Sequence, residues 1–138
     1  MRSARVSLSL VLSLLTLPLL AASRFGHYTG VMAEVPFEFE VGNKIIPAGQ
    51  CFVQSNGIGG ALLIRNPDAR VDAMSAVYAN EAGRPSEQTA LLFHKYGNRF
   101  FLSAIHLKGL GTVYELPESK GEAELKTRST GERVLLSL

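Results

Sequence analysis

The histidines His27, His94 and His106 are the side chains here best suited to acid–base work or metal binding. Around the second of them, His94-Lys95-Tyr96 and Arg99 place four polar, titratable groups next to Gly97-Asn98, a turn dipeptide. Hairpin tips often carry binding residues, so His94, Lys95, Tyr96 and Arg99 are the candidate ligand- or partner-binding set. The same side chains also serve as ordinary solubilising residues at a strand end. If they form no active site, Lys95 points away from His94, and Tyr96 and Arg99 meet across the turn.

A shared His94–His106 metal site fails on spacing. A two-residue turn pairs Tyr96 with Arg99, His94 with Phe101 and Thr89 with His106, which sends the two imidazoles to opposite faces. One additional residue brings them to one face but about 13 Å apart, at ~3.3 Å per residue. Zinc ligands lie about 2 Å from the metal. No metal site is expected.

Other chemistry is sparse. The chain has no Gly-x-Ser-x-Gly and no His-Glu-x-x-His. Gly109-Leu110-Gly111-Thr112 and Gly57-Ile58-Gly59-Gly60 are too short for phosphate loops and read as turns. Glu34, Glu38 and Glu40 read as the solvent face of an edge strand, where charge opposes aggregation. Cys51 is the sole cysteine, so no intramolecular disulfide forms, and Cys51-Phe52-Val53 reads as a buried strand segment. Neither catalytic residues nor a cofactor are expected.

Arg2 and Arg5, the uncharged Leu-rich run from Val6 to Leu20, and then Ala21, Ala22 and Ser23 follow the order of a secretory signal peptide. The run is short of the ~20 residues that span a bilayer, and Pro18 breaks its end, which disfavours a retained anchor. Cleavage is expected between Ser23 and Arg24. The remainder is one domain of ordinary size, large enough for a real core. The chain has 14 basic and 12 acidic residues, so loss of Arg2 and Arg5 leaves it formally neutral. Nothing in that balance selects nucleic acid or a membrane as partner.

The elements that must position the polar groups read as strands. Residues 24–30 lack periodicity and form a flexible lead-in; residues 31–138 form the domain. From Glu34 to Val41 the chain alternates, with Val35, Phe37, Phe39 and Val41 on one face. Gly42-Asn43, Pro47-Ala48-Gly49 and Asn66-Pro67-Asp68 are turns between Lys44–Ile46, a strand around Gln50–Gln54, and Ala61–Arg65. Val71–Asn80 fits both helix and strand, and flanking strands favour a strand. Thr89–Tyr96 and Arg99–Leu107 form the hairpin, with Gly97 suited to a type II′ turn. Thr112–Leu116 follows, then one short helix over Lys120–Lys126, signalled by the capping-box spacing of Ser119 and Glu122 and weakened by Gly121. Glu132–Leu138 closes the fold. The expectation is all-β: a small antiparallel sandwich or barrel of about seven to nine short strands with one short C-terminal helix. An outer-membrane barrel is disfavoured by the acidic face of the first strand.

The blocks Val35-Pro36-Phe37-Glu38-Phe39-Glu40-Val41-Gly42-Asn43, Pro47-Ala48-Gly49, Leu92-Phe93-His94-Lys95-Tyr96-Gly97-Asn98-Arg99-Phe100-Phe101-Leu102-Ser103 and Glu115-Leu116-Pro117-Glu118-Ser119 occur in this order. Together they resemble a group of small exported bacterial proteins of uncharacterised function. The resemblance implies an exported, mostly β domain and no particular reaction; such proteins carry an aromatic residue where this chain has Cys51. The sequence thus points to a periplasmic or secreted non-enzymatic domain that binds a partner protein or a small ligand. The alternative is a small periplasmic enzyme using the polar tip around His94.

Overall fold

A computed structural model describes residues 28–56 and 60–138. The expected leader with its Ser23–Arg24 junction, His27 and residues 57–59 lie outside the described residues. Two sheets face each other. One has the order β1 (Tyr28–Val35), β4 (Gly49–Asn56), β5 (Ala61–Asn66) and β6 (Val71–Ala76), antiparallel throughout. The second runs β11 (Glu132–Ser137), β8 (Ala90–Tyr96), β9 (Arg99–His106), β10 (Thr112–Glu115) and β7 (Tyr78–Glu81). A small hairpin, β2 (Phe39–Val41) with β3 (Lys44–Ile46), joins it where Glu40 pairs with Phe101 in parallel. The one helix among the described residues is α1 (Lys120–Lys126).

The all-β class and the short C-terminal helix stand as read from the sequence, but there are more strands than expected. Two expected strands are each divided where the chain crosses between sheets. The Glu34–Val41 run breaks at Pro36, whose missing N–H cannot serve a ladder. Its first half pairs with β4 and its second with β3 and β9. Alternation survives the crossing, because both halves point Val35, Phe39 and Val41 into the same core. Val71–Asn80 is extended, as preferred, but divides at Val77, whose N–H donates instead to Gly60 O at 2.6 Å. At the start, β1 already includes Tyr28–Gly30, paired with Asn56–Gln54, so the lead-in reading of residues 24–30 is too long.

The core forms from the inward residues of both sheets, with Val35, Ile46, Ile64, Leu91 and Phe93 at its centre. It is rich in aromatic edges: Phe93 meets Phe37 (4.9 Å) and Phe39 (5.3 Å) in T-shaped contacts, and Phe37 stacks on Phe100 (3.9 Å). Asn66 is a polar exception at 1% exposure. Its amide donates to Pro47 O and its carbonyl accepts from Ala69 N–H, tying together two turns that lie far apart in sequence.

Cys51 is fully buried on β4. Burial first, and the Glu34 carboxylate second, push its thiol above the ordinary range. The native protein should therefore resist a disulfide-exchange reagent at mildly alkaline pH and react only after unfolding. Modification of folded protein at the rate of unfolded chain would place this thiol at the surface instead.

Candidate functional site

The β8–β9 hairpin has its two-residue turn at Gly97-Asn98, with Gly97 at φ +61°, and pairs Tyr96 with Arg99, His94 with Phe101 and Phe93 with Leu102. Beyond Phe93 the register shifts by one, so that Leu92 faces Ala104 and Ala90 faces His106. Ser103 is the extra residue. The bulge keeps Ile105 in the core while leaving Ser103 on the His94 side, the kind of local re-aiming that bulges provide. It also corrects the Thr89–His106 pairing. His106 shares the His94 face after all, but four positions along, about 13 Å at ~3.3 Å per residue. Among the described residues, no group of three or more His, Cys, Asp or Glu is placed to hold a metal ion.

Helix α1 covers the tip of this face. Ser119 caps it, its hydroxyl accepting from Glu122 N–H at 3.2 Å. Only the serine half of the expected capping box is used in this way. The Glu122 carboxylate turns to the sheet, 5% exposed, with Oε1 2.6 Å from His94 Nδ1 and 3.5 Å from the Tyr96 hydroxyl. On the other side of the imidazole, Ser103 Oγ lies 3.2 Å from Nε2. The carboxylate requires a proton on Nδ1, so neutral His94 presents the Nε2 lone pair to Ser103, whose hydroxyl donates. Burial, then the Glu122 charge, push the Tyr96 phenol above its ordinary range.

The candidate residues do not act as one group. His94 and Tyr96 meet at Glu122. Lys95 turns to the opposite face, over the Phe100 ring at 5.5 Å, as alternation requires. Arg99 does not bond Tyr96. Its guanidinium grips Glu40 through two hydrogen bonds of 2.8 and 2.7 Å and lies over Phe101, so Glu40 is not a free solvent-face charge. The guanidinium also lies close to Gly121: a Cβ there would come within 3.3 Å of Nη2.

Two clefts flank the cluster. One, about 380 Å³, is lined by Lys126, Thr130 and Gly131; the other, about 260 Å³, by Ser103, Glu115, Glu118 and Glu122. His94 and Arg133, cross-strand neighbours on β8 and β11, line both. His94 and Tyr96 thus share a concave site.

Gly131 forms one wall by closeness. A Cβ at this position would sit 2.7 Å from the Tyr96 ring. Gly131→Ala should push the ring out of place and cost about 1–3 kcal/mol, as overpacking does. A urea-unfolding midpoint equal to that of the natural protein would show that Tyr96 is not seated there.

Ser103 and Glu122 were not found by sequence reasoning. Ser103 is one hydroxyl within the apolar run Phe100–Leu107, and that oddity was its only signal. Glu122 had an adequate local explanation as half of a capping box.

Fold and site together define the class: a mostly antiparallel two-sheet domain with a short helix clasped to one outer face by a buried carboxylate bonded to a partly exposed imidazole. Searches against protein-family models, curated proteins and solved structures find no match for this chain.

Proposed function

We propose that this chain is an exported β domain of the bacterial cell envelope that takes a small ligand into the cleft beside His94 and Arg133. One observation carries the reading. The larger cleft, about 380 Å³, has the volume of a small-molecule site and is bordered by a built polar cluster. By contrast, the crevice between Val53 and Ile105 inside the sandwich measures about 10 Å³, too little for a ligand. The concave shape favours a small ligand over a protein partner, and the near balance of charge gives nucleic acid no advantage. Export rests on residues 1–23, and the resemblance to small exported bacterial proteins agrees with it.

The test has two arms. Sequencing of the protein recovered from an expressing bacterium should find Arg24 or a near neighbour at its start; an intact chain in the membrane fraction sinks export. A thermal-shift screen of envelope-derived small molecules should find compounds that raise the midpoint of the natural protein and do so far less for Arg133→Glu. Equal shifts in both proteins would remove the ligand from this cleft. A second reading, conversion of the bound ligand, is favoured by one specific observation: the alignment of Ser103, His94 and Glu122.

A further inference from the structure

We propose that Ser103, His94 and Glu122 form a nucleophile, general base and orienting carboxylate that hydrolyse small, uncharged acyl esters. The inference rests on the reading of a ligand site beside His94, and it places the reacting ligand in the smaller of the two clefts, the one that Ser103 lines.

Three observations carry it. First, the order of contacts is that of an activated hydroxyl: Ser103 Oγ to His94 Nε2 at 3.2 Å, and His94 Nδ1 to Glu122 Oε1 at 2.6 Å. Such a constellation is recognised by geometry and role, whatever the order in the chain. Second, the three parts differ in exposure as their roles require. Glu122 is buried, its side chain 6% exposed, while the imidazole keeps 31% and Ser103 is half-buried at the cleft wall. A shielded carboxylate fixes the tautomer, and an open hydroxyl can be reached. Third, Ser103 occupies a bulge, where the ladder is locally disrupted and a side chain is re-aimed.

The cleft also limits the substrate. About 260 Å³ admits a short acyl chain, and Glu115 on its wall, bonded only to the neutral Asn80 amide, repels anions, while Glu118 is paired with Lys126. Arg133 is the cation lining the same cleft, the group at hand for the negative charge that develops on a carbonyl oxygen.

The step balances without any oxidant or reductant. The Ser103 Oγ–H proton passes to His94 Nε2 as Oγ bonds the ester carbonyl carbon. The carbon–alkoxy bond then breaks, and the alcohol leaves with that proton. Water attacks the acyl-serine, gives its proton to Nε2, and the carboxylic acid departs as Ser103 recovers its hydrogen. Glu122 takes no proton in these steps and acts as a positioning residue, holding His94 Nδ1 at 2.6 Å.

The experiment uses the purified mature protein with a fluorophosphonate probe and with 4-nitrophenyl acetate. One probe per chain should attach, mapped to Ser103 by mass spectrometry, and should be lost in Ser103→Ala and His94→Gln with melting midpoints near the natural one. Ester turnover in Ser103→Ala should fall on the order of 100-fold or more, the scale of lost nucleophile–base chemistry. Glu122→Gln should lower kcat with KM held and should alter the pH profile, which a merely structural contact would not do. Turnover that persists in Ser103→Ala means catalysis by the imidazole alone and overturns the proposal. So does a folded natural protein that takes no probe, or takes it elsewhere. If short esters raise the melting midpoint but are not cleaved, the ligand site stands and the hydrolysis fails. If they neither bind nor react while other small molecules protect the cleft, only the inference fails; with no protecting molecule at all, both fail.

Discussion

Phe93→Ala should lower the unfolding free energy by about 3–5 kcal/mol, the range for truncating a large core aromatic. Phe93 has no exposed surface and sits on β8 opposite Leu102. Its ring is the hub of the aromatic cluster, meeting Phe37 edge-on at 83° and Phe39 at 71°. These neighbours come from the segment that crosses between the sheets, so a cavity at Phe93 cannot close by moving one strand alone. Dispersion contacts are lost on several sides at once. A domain of this size typically has about 5–15 kcal/mol of stability, so the variant should unfold at clearly lower urea. Phe93→Leu, keeping more of the volume, should fall between the two. A midpoint unmoved by Phe93→Ala would show that the register beyond the turn is wrong.

Asn66→Ala should cost about 2–4 kcal/mol for a different reason. The Asn66 side chain is 1% exposed and satisfies two backbone groups, Pro47 O at 3.0 Å and Ala69 N–H at 3.1 Å. Each buried polar group left without a partner costs roughly 1–3 kcal/mol, well above the gain from forming one average hydrogen bond. Asn66→Asp is the sharper test. It keeps the acceptor for Ala69 but replaces the amide donor with a carboxylate facing the Pro47 carbonyl. It should destabilise about as much as alanine, and more as pH rises through the carboxylate range, because the ionised form is the one excluded from the site. Full stability of Asn66→Asp at neutral pH would mean the amide does not face Pro47.

The parts legible from the sequence are those governed by local rules. The turn at Gly97-Asn98 sets the first rungs of the hairpin, and Ser119 sets the start of α1, so Phe93–Leu102 and Lys120–Lys126 follow directly. Alternation assigns Val35, Phe37, Phe39 and Val41 to the core, where Phe37 is only partly buried because it lies in the crossing segment rather than in a strand, and alternation cannot tell which sheet a strand joins. The crossings at Pro36 and Val77 were therefore read as continuous strands. The bulge at Ser103 carries no local marker, since neither glycine nor proline stands there. It follows from the need to keep Leu102, Ile105 and Leu107 inside on one strand. The site suffered most, because Glu122 reaches His94 across 28 residues. One partner had a sufficient local role, and the other lay in an apolar run. Arg99 and Glu40 are likewise joined across 59 residues.

The crossing at Pro36 also fixes an order of events as the chain folds. Strand β1 finds its partner β4 soon after it, and β5 and β6 then add in sequence, so the first sheet can assemble from neighbours alone. The β2–β3 hairpin, made just as early, has β9 as its ladder partner in the second sheet, and β8 has its outer neighbour only once β11 exists. Emerging N-terminus first, the polypeptide must hold Phe37 and Phe39 in waiting until Phe93 and Phe100 arrive. Late closure of this kind makes for slow, aggregation-exposed folding, because distant pairings incur loop entropy before any contact rewards it. Refolding from denaturant should thus show the first sheet's amides protected from exchange well before those of β2, β3 and β9.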